Sequence, residues 1–141
     1  MATSITQMAQ ELQSEVAWQR TPVELTMNDY EAMIINGIRR LYIDTARAPD
    51  YNTSLFSYDA RLKQNVLNVD LPIDEYEYAM ICAKIGFFKR VASDVNNIVG
   101  YTTDALTVTN ADKPYANLKD TIANLENERR ITYYKMVRYI M

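Results

Sequence analysis

An all-α fold of about four helices is what this sequence predicts. Apolar residues recur at helical spacing in four stretches, helix-start residues stand ahead of each, and only two short pieces show the two-residue period of a strand. The first helix opens where Ser4 and Gln7 form a capping-box pattern, continues through Ile5, Met8, Ala9, Leu12 and Val16, and ends near Trp18. Two starts are open for the second: Thr21-Pro22-Val23-Glu24, with proline in the first turn, or Thr26 with Asp29. Its body is the cleanest amphipathic run in the chain. Tyr30, Met33, Ile34, Gly37, Ile38, Leu41 and Tyr42 share one face, while Glu31, Asn36, Arg39 and Arg40 point elsewhere.

Residues 47–64 lose the helical period, with Pro49, Asp50, Asn52, Ser54 and Ser57 scattered among aromatic residues, and predict a long loop. A short strand then follows at Leu67–Leu71, where Leu67, Val69 and Leu71 alternate with Asn68 and Asp70. Asp70 caps the third helix, with Pro72 in its first turn and Asp74, Glu75 and Glu77 at the positive end of its dipole. Projection puts Ala79, Cys82, Ala83 and Gly86 on one stripe and Ile81, Ile85, Phe88, Ala92, Val95 and Val99 on the opposite one. The first half of this central helix is apolar all round, the second has a wet side at Arg90, Ser93 and Asn97, and Gly100 closes it as the C′ residue. A second extended segment is expected within 101–112, where Leu106 and Val108 alternate with threonines. The last helix, 113–140, opens at Asp112 with Pro114 in its first turn and contains no further glycine or proline. At 1.5 Å per residue it would be roughly 40 Å long, more than a small helical domain needs to cover itself. Part of it is expected to project or to meet another chain. No repeat, linker or low-complexity tract divides the sequence, so 1–141 reads as a single helical domain.

Composition points away from enzymes. The 141 residues include no histidine, one cysteine and three glycines, which excludes serine-type triads, Cys/His zinc sites, Walker loops and Rossmann fingerprints. No catalytic residue, cofactor or metal is expected. Cys82 lies in the apolar run Ala79 to Phe88, where a small buried hydrophobe is its expected role, and no histidine is present to activate it. Asp74, Glu75 and Glu77 are accounted for by the helix dipole. The sequence shows no secretory signal, and its longest apolar run, from Tyr78, is broken by Lys84, far short of the roughly 20 residues of a membrane span. A soluble protein without membrane contact is expected.

Net charge is −3, against a dedicated duplex-binding surface, yet its distribution is uneven. Residues 113–141 hold six basic and three acidic residues, while 1–112 hold nine and fifteen. Arg129, Arg130, Lys135 and Arg138 interleave with Tyr133, Tyr134 and Tyr139, a mixture suited to a partner's acidic rim or to phosphate. Taken singly, each cation is explained by the C-terminal end of a helix dipole. Taken as a set, they mark a contact with another chain. The loop residues Tyr51, Leu55, Phe56 and Tyr58 are read as partner contacts too. Leu67–Leu71 and Leu106–Thr109 could pair with each other or offer edges to a neighbouring subunit. The small stripe Ala79, Cys82, Ala83, Gly86 permits close helix approach, with Gly37 as its counterpart.

The helical amino terminus, the Thr26 to Thr45 helix, the apolar helix Asp74 to Val99, the run Tyr101-Thr102-Thr103-Asp104-Ala105-Leu106-Thr107-Val108-Thr109 and the long terminal helix together resemble the small head-tail adaptor proteins of tailed bacteriophages. That resemblance lies in arrangement over nearly the whole chain and rests on no short motif. It implies a virion structural protein, assembled in the host cytoplasm into a ring of about twelve copies. Such a ring docks beneath the portal, meets the next connector or tail protein, and lines the channel through which DNA leaves without sequence-specific binding. By the same resemblance, the 47–64 loop and the terminal helix are the contact elements, the helix with Arg129, Arg130, Tyr133, Lys135 and Arg138; Leu106 and Val108, on the extended segment, are expected subunit contacts as strand-edge residues. An acidic balance suits the role, because DNA that must slide should not be gripped. The alternative is a small oligomeric nucleic-acid-binding factor for packaging or regulation, using the same basic helix end but lacking a convincing helix-turn-helix. An enzyme using only carboxylates and tyrosines is a third class, which no residue pattern recommends.

Overall fold

A computed structural model describes residues 3–19, 21, 23–45, 56–61, 63–67, 71–102 and 112–140. Among them are four helices, α1 (Ile5–Glu15), α2 (Met27–Asp44), α3 (Ile73–Thr102) and α4 (Asp112–Ile140). Three short strands accompany them, β1 (Thr3–Ser4), β2 (Phe56–Asp59) and β3 (Gln64–Leu67). The fold is all-α with a small antiparallel sheet.

Local chemistry explains the boundaries. The Ser4 hydroxyl accepts from the Gln7 amide at 3.1 Å, capping α1, and donates to Gln64 Oε1 on β3 at 2.7 Å. α1 stops at Glu15, three residues before the expected end, and Val16 to Trp18 form a turn. Of the two starts open for α2, Thr26 is used: its side chain accepts from the Asp29 amide, and Asp29 Oδ2 accepts from the Thr26 amide at 2.8 Å. These bonds to Thr26 hold the Asp29 carboxyl below its ordinary acidity range. α3 runs through Gly100 to Thr102, so Gly100 does not end it, and Tyr101 and Thr102 are helical instead of extended. The remainder of the expected second extended segment, Leu106 and Val108 included, lies outside the described residues. α4 begins at Asp112, as its start signal implies.

Residues 47–64 are not a continuous loop. β2 and β3 form an antiparallel hairpin in which Phe56 stands opposite Leu67 and Asp59 opposite Gln64. Asp59 Oδ1 accepts from the Arg61 amide at 2.9 Å, and Lys63 adopts a positive φ of 53°. The turn lacks the Asn-Gly or Asp-Gly pair that signals a hairpin, and a lysine takes the left-handed position where glycine is usual. β3, Gln64–Leu67, meets the strand expected at Leu67–Leu71 only at Leu67; Leu71 is in no strand, and 68–70 lie outside the described residues. β3 is the middle strand, with β1 on its other side through Thr3 opposite Leu67 and Ser4 opposite Val66. Both edges of β3 are thus filled from within the chain; Leu106–Thr109 lie outside the described residues.

The helices pack in succession, α1 on α2, α2 on α3 and α3 on α4. One apolar cluster joins them, including Ile5, Met8 and Leu12 of α1, Ile34, Ile38 and Leu41 of α2, Tyr78, Phe87 and Val91 of α3, and Leu118 and Met136 of α4. Glu31 ties this core to the sheet, accepting from Thr6 Oγ1 at 3.0 Å and from Asn65 Nδ2 at 2.8 Å. The tightest seam is between α2 and α3. A Cβ at Gly37 would stand 2.5 Å from the Ala79 carbonyl oxygen and 3.1 Å from the Ala83 amide nitrogen, so only glycine permits this approach. Gly86, on the same small stripe of α3, is exposed and meets nothing within 4 Å. It takes no part in the close contact.

The two glycines therefore predict opposite substitutions. Gly37→Ala should lower unfolding free energy by about 1–3 kcal/mol, since rigid backbone must give way. Gly86→Ala should raise it by about 0.5–1 kcal/mol through reduced chain entropy in a helix interior. Urea denaturation of the two variants checks both signs.

Candidate functional site

α3 is flanked by a groove on each side. The first, about 630 Å³, lies between α1, the first half of α3 and the second half of α4. Leu71, Ile73, Met80, Ile81 and Ile131 give it an apolar surface, and Glu11, Glu15, Glu77, Glu128, Lys84 and Lys135 stand around them. Ile73 is 83% exposed and Ile131 46%. Lys84 Nζ bridges α3 to α1 through Glu15 Oε2 at 3.0 Å, and the Tyr76 hydroxyl donates to Glu11 Oε2. With Lys84 matched to Glu15, the remaining rim is acidic. Desolvation, then the bond to the Glu11 carboxylate, push the Tyr76 phenol above its ordinary value.

The second groove, about 490 Å³, lies between α2, α3 and α4, on the opposite face of α3 from the first. Arg40, Lys89, Arg90 and Arg129 line it together with Asn36 and one carboxylate, Asp29. Arg40 pairs with Asp44 at 3.1 Å and Arg90 with Asp94 at 3.3 Å, while Lys89 reaches Glu126 on α4 at 3.6 Å. Behind the groove the Tyr78 hydroxyl donates to Asp44 Oδ2, joining α3 to α2. Burial first, and then this bond, raise the Tyr78 phenol above its ordinary value. Cys82 is buried, and desolvation pushes its thiol up to about 11 despite the opposing influence of Arg129. It is neutral at pH 7, in keeping with a packing role and not a nucleophilic one.

The residues expected to contact partners are thus separated. Arg129 faces the second groove and Lys135 the first. Arg130 is exposed and donates to Asn127 Oδ1 at 2.8 Å. Tyr133 is half-buried against its own core, its ring 6.4 Å from that of Tyr78, so it serves the fold; Tyr134 beside it is 64% exposed. Arg129, Arg130 and Lys135 therefore do not form one patch, because the helix turns successive residues onto different sides. Arg138 falls near the end of α4. Phe56 and Tyr58 belong to β2, where Tyr58 is 61% exposed. Tyr51 and Leu55 lie outside the described residues.

Sequence reasoning missed Ile73 and Ile131. Each falls among apolar or charged neighbours on a helix, and only the relative placement of α1, α3 and α4 shows that they share an open groove. Among the described residues no group of three or more acidic or thiol side chains is placed to hold a metal ion, and every buried side-chain polar atom has a partner. No helix among them is long and apolar enough to cross a membrane. No protein-family model matches the chain, and no curated protein or solved structure is significantly similar to it.

The raised thiol and phenols fix the direction of the alkaline response. Their folded forms keep protons that the unfolded chain releases from 9.0 upward for the thiol and 10.0 for the phenols, so stability falls as pH rises above about 9. Urea midpoints between pH about 8 and 10.5 should decline steadily, whereas a constant midpoint would show that these groups are not buried as described.

Proposed function

We propose that this chain is a structural subunit of a viral head-tail connector ring, acting by assembly and not by chemistry. The observation that carries the reading is the first groove, where the apolar residues Ile73 and Ile131 are left open beside an acidic rim. Contiguous apolar surface rimmed by charge is the anatomy of a protein-protein contact. Its occupant in this reading is a second copy, whose α4 brings the exposed Arg130, which lines neither groove, against the acidic rim. Covering an exposed isoleucine stabilises a contact by roughly 1.5–3 kcal/mol. The length of α4 supports the same conclusion. Of its residues 118–136 only Leu118 and Met136 are buried, a thin seam that leaves much of the helix open to neighbours. In this setting the portal, the next connector or tail protein and the transiting DNA are the further partners, and the virion is the location.

The alternative, a small nucleic-acid-binding factor, is favoured by the cations of the second groove. The two readings differ at Ile73 and Ile131. Ile73→Glu and Ile131→Glu alter exposed positions, so melting temperature should hold while copies recovered with particles fall at least tenfold, equivalent to about 1.4 kcal/mol. Recovery of both variants at the wild-type level would remove the groove from the argument.

A further inference from the structure

We propose that the groove between α2, α3 and α4 binds a phosphate-class oxyanion, anchored by the Arg129 guanidinium and flanked by Arg40, Lys89 and Arg90. Three helices bring these four cations to one concavity whose lining holds a single carboxylate, Asp29. Asp29 is already engaged with its own helix cap at Thr26.

Arg129 is the distinctive member. Among the described residues it makes no ion pair with a carboxylate; it lines the groove together with Cys82, whose thiol feels its charge. A thiol held up to about 11 carries no charge at pH 7, so the guanidinium is left uncompensated beside it. Asp44, on the same side, is taken up by Arg40 and by the Tyr78 hydroxyl. The other three cations have acidic partners, but with side chains 53%, 60% and 46% exposed for Arg40, Lys89 and Arg90. Asp44 and Asp94 are less open, at 18% and 14%, but each half-exposed cation keeps donors free for a further acceptor. A phosphate group is that acceptor: it receives bidentate bonds from a guanidinium and has oxygens to spare for the flanking cations and the Asn36 amide. Gly86 lies in the groove wall, and nothing stands within 4 Å of where its Cβ would be, so the space over it is open.

This site follows from the groove alone and does not depend on the connector reading. The test is calorimetric titration of the full chain at about 0.1 M ionic strength with two probes, pyrophosphate and an unphosphorylated oligothymidylate. One saturable site per chain is expected for at least one probe; preference for pyrophosphate identifies a terminal phosphate, preference for the oligonucleotide a phosphodiester backbone. Arg129→Gln should weaken binding at least tenfold, from loss of a charge-assisted bidentate contact. Arg90→Gln, at an exposed position that leaves the packing of α4 untouched, should weaken it about threefold or more. Arg130→Gln, outside the groove, should stay within about twofold. Failure of both probes to bind, or equal weakening by Arg129→Gln and Arg130→Gln, would overturn the site.

Discussion

The approach of α2 to α3 at Gly37 is the constraint on which the rest of the structure depends. With the Gly37 Cα carrying no side chain, the α3 backbone at Ala79 and Ala83 comes within contact of α2, closer than any other residue would allow. Larger neighbours then complete the seam. Tyr30 stacks on Phe87 with centroids 6.2 Å apart, and Tyr78 sends its hydroxyl to Asp44. Helix crossing at this distance fixes the position of α3, and α3 in turn is the bed on which α4 lies.

From that placement come the two surfaces with functional character. The residues of α3 alternate between its two flanks at helical spacing, so Ile73, Glu77, Met80, Ile81 and Lys84 open to one groove and Cys82, Ile85, Gly86 and Lys89 to the other. The first is apolar with an acidic rim, the second basic. In the proposed reading, opposite characters on opposite sides of one helix let each side select its own partner by charge. The thin apolar seam of α4 belongs to the same design, since a helix buried only at Leu118 and Met136 along most of its length has surface to spare.

Much of the helical framework was legible in the sequence, because capping and periodicity are local. Ser4, Thr26 and the sevenfold apolar pattern from Tyr30 to Tyr42 mark α1 and α2, and the small residues of α3 together with Gly37 point to their close packing. The hairpin was not legible, because its turn depends on Lys63 in a conformation that lysine seldom adopts, and β1 is too short to carry a period. Gly100 misled for a related reason: glycine permits a helix to end but does not oblige it to. At the candidate sites, Arg129 and Lys135 could be named but not separated. Neighbours in a basic sequence look like one patch until the helix turn and the packing of α3 assign them to different grooves.

In the proposed reading this protein works as a fixed component of a large assembly. The most direct measurement is fractionation of the native source by sedimentation, with the copies of this chain counted per particle in the heaviest fractions. A constant number, about a dozen, resistant to nuclease and to salt, is the predicted result. Recovery only in light fractions, or in a complex that nuclease dissolves, would contradict it and favour a nucleic-acid-binding factor.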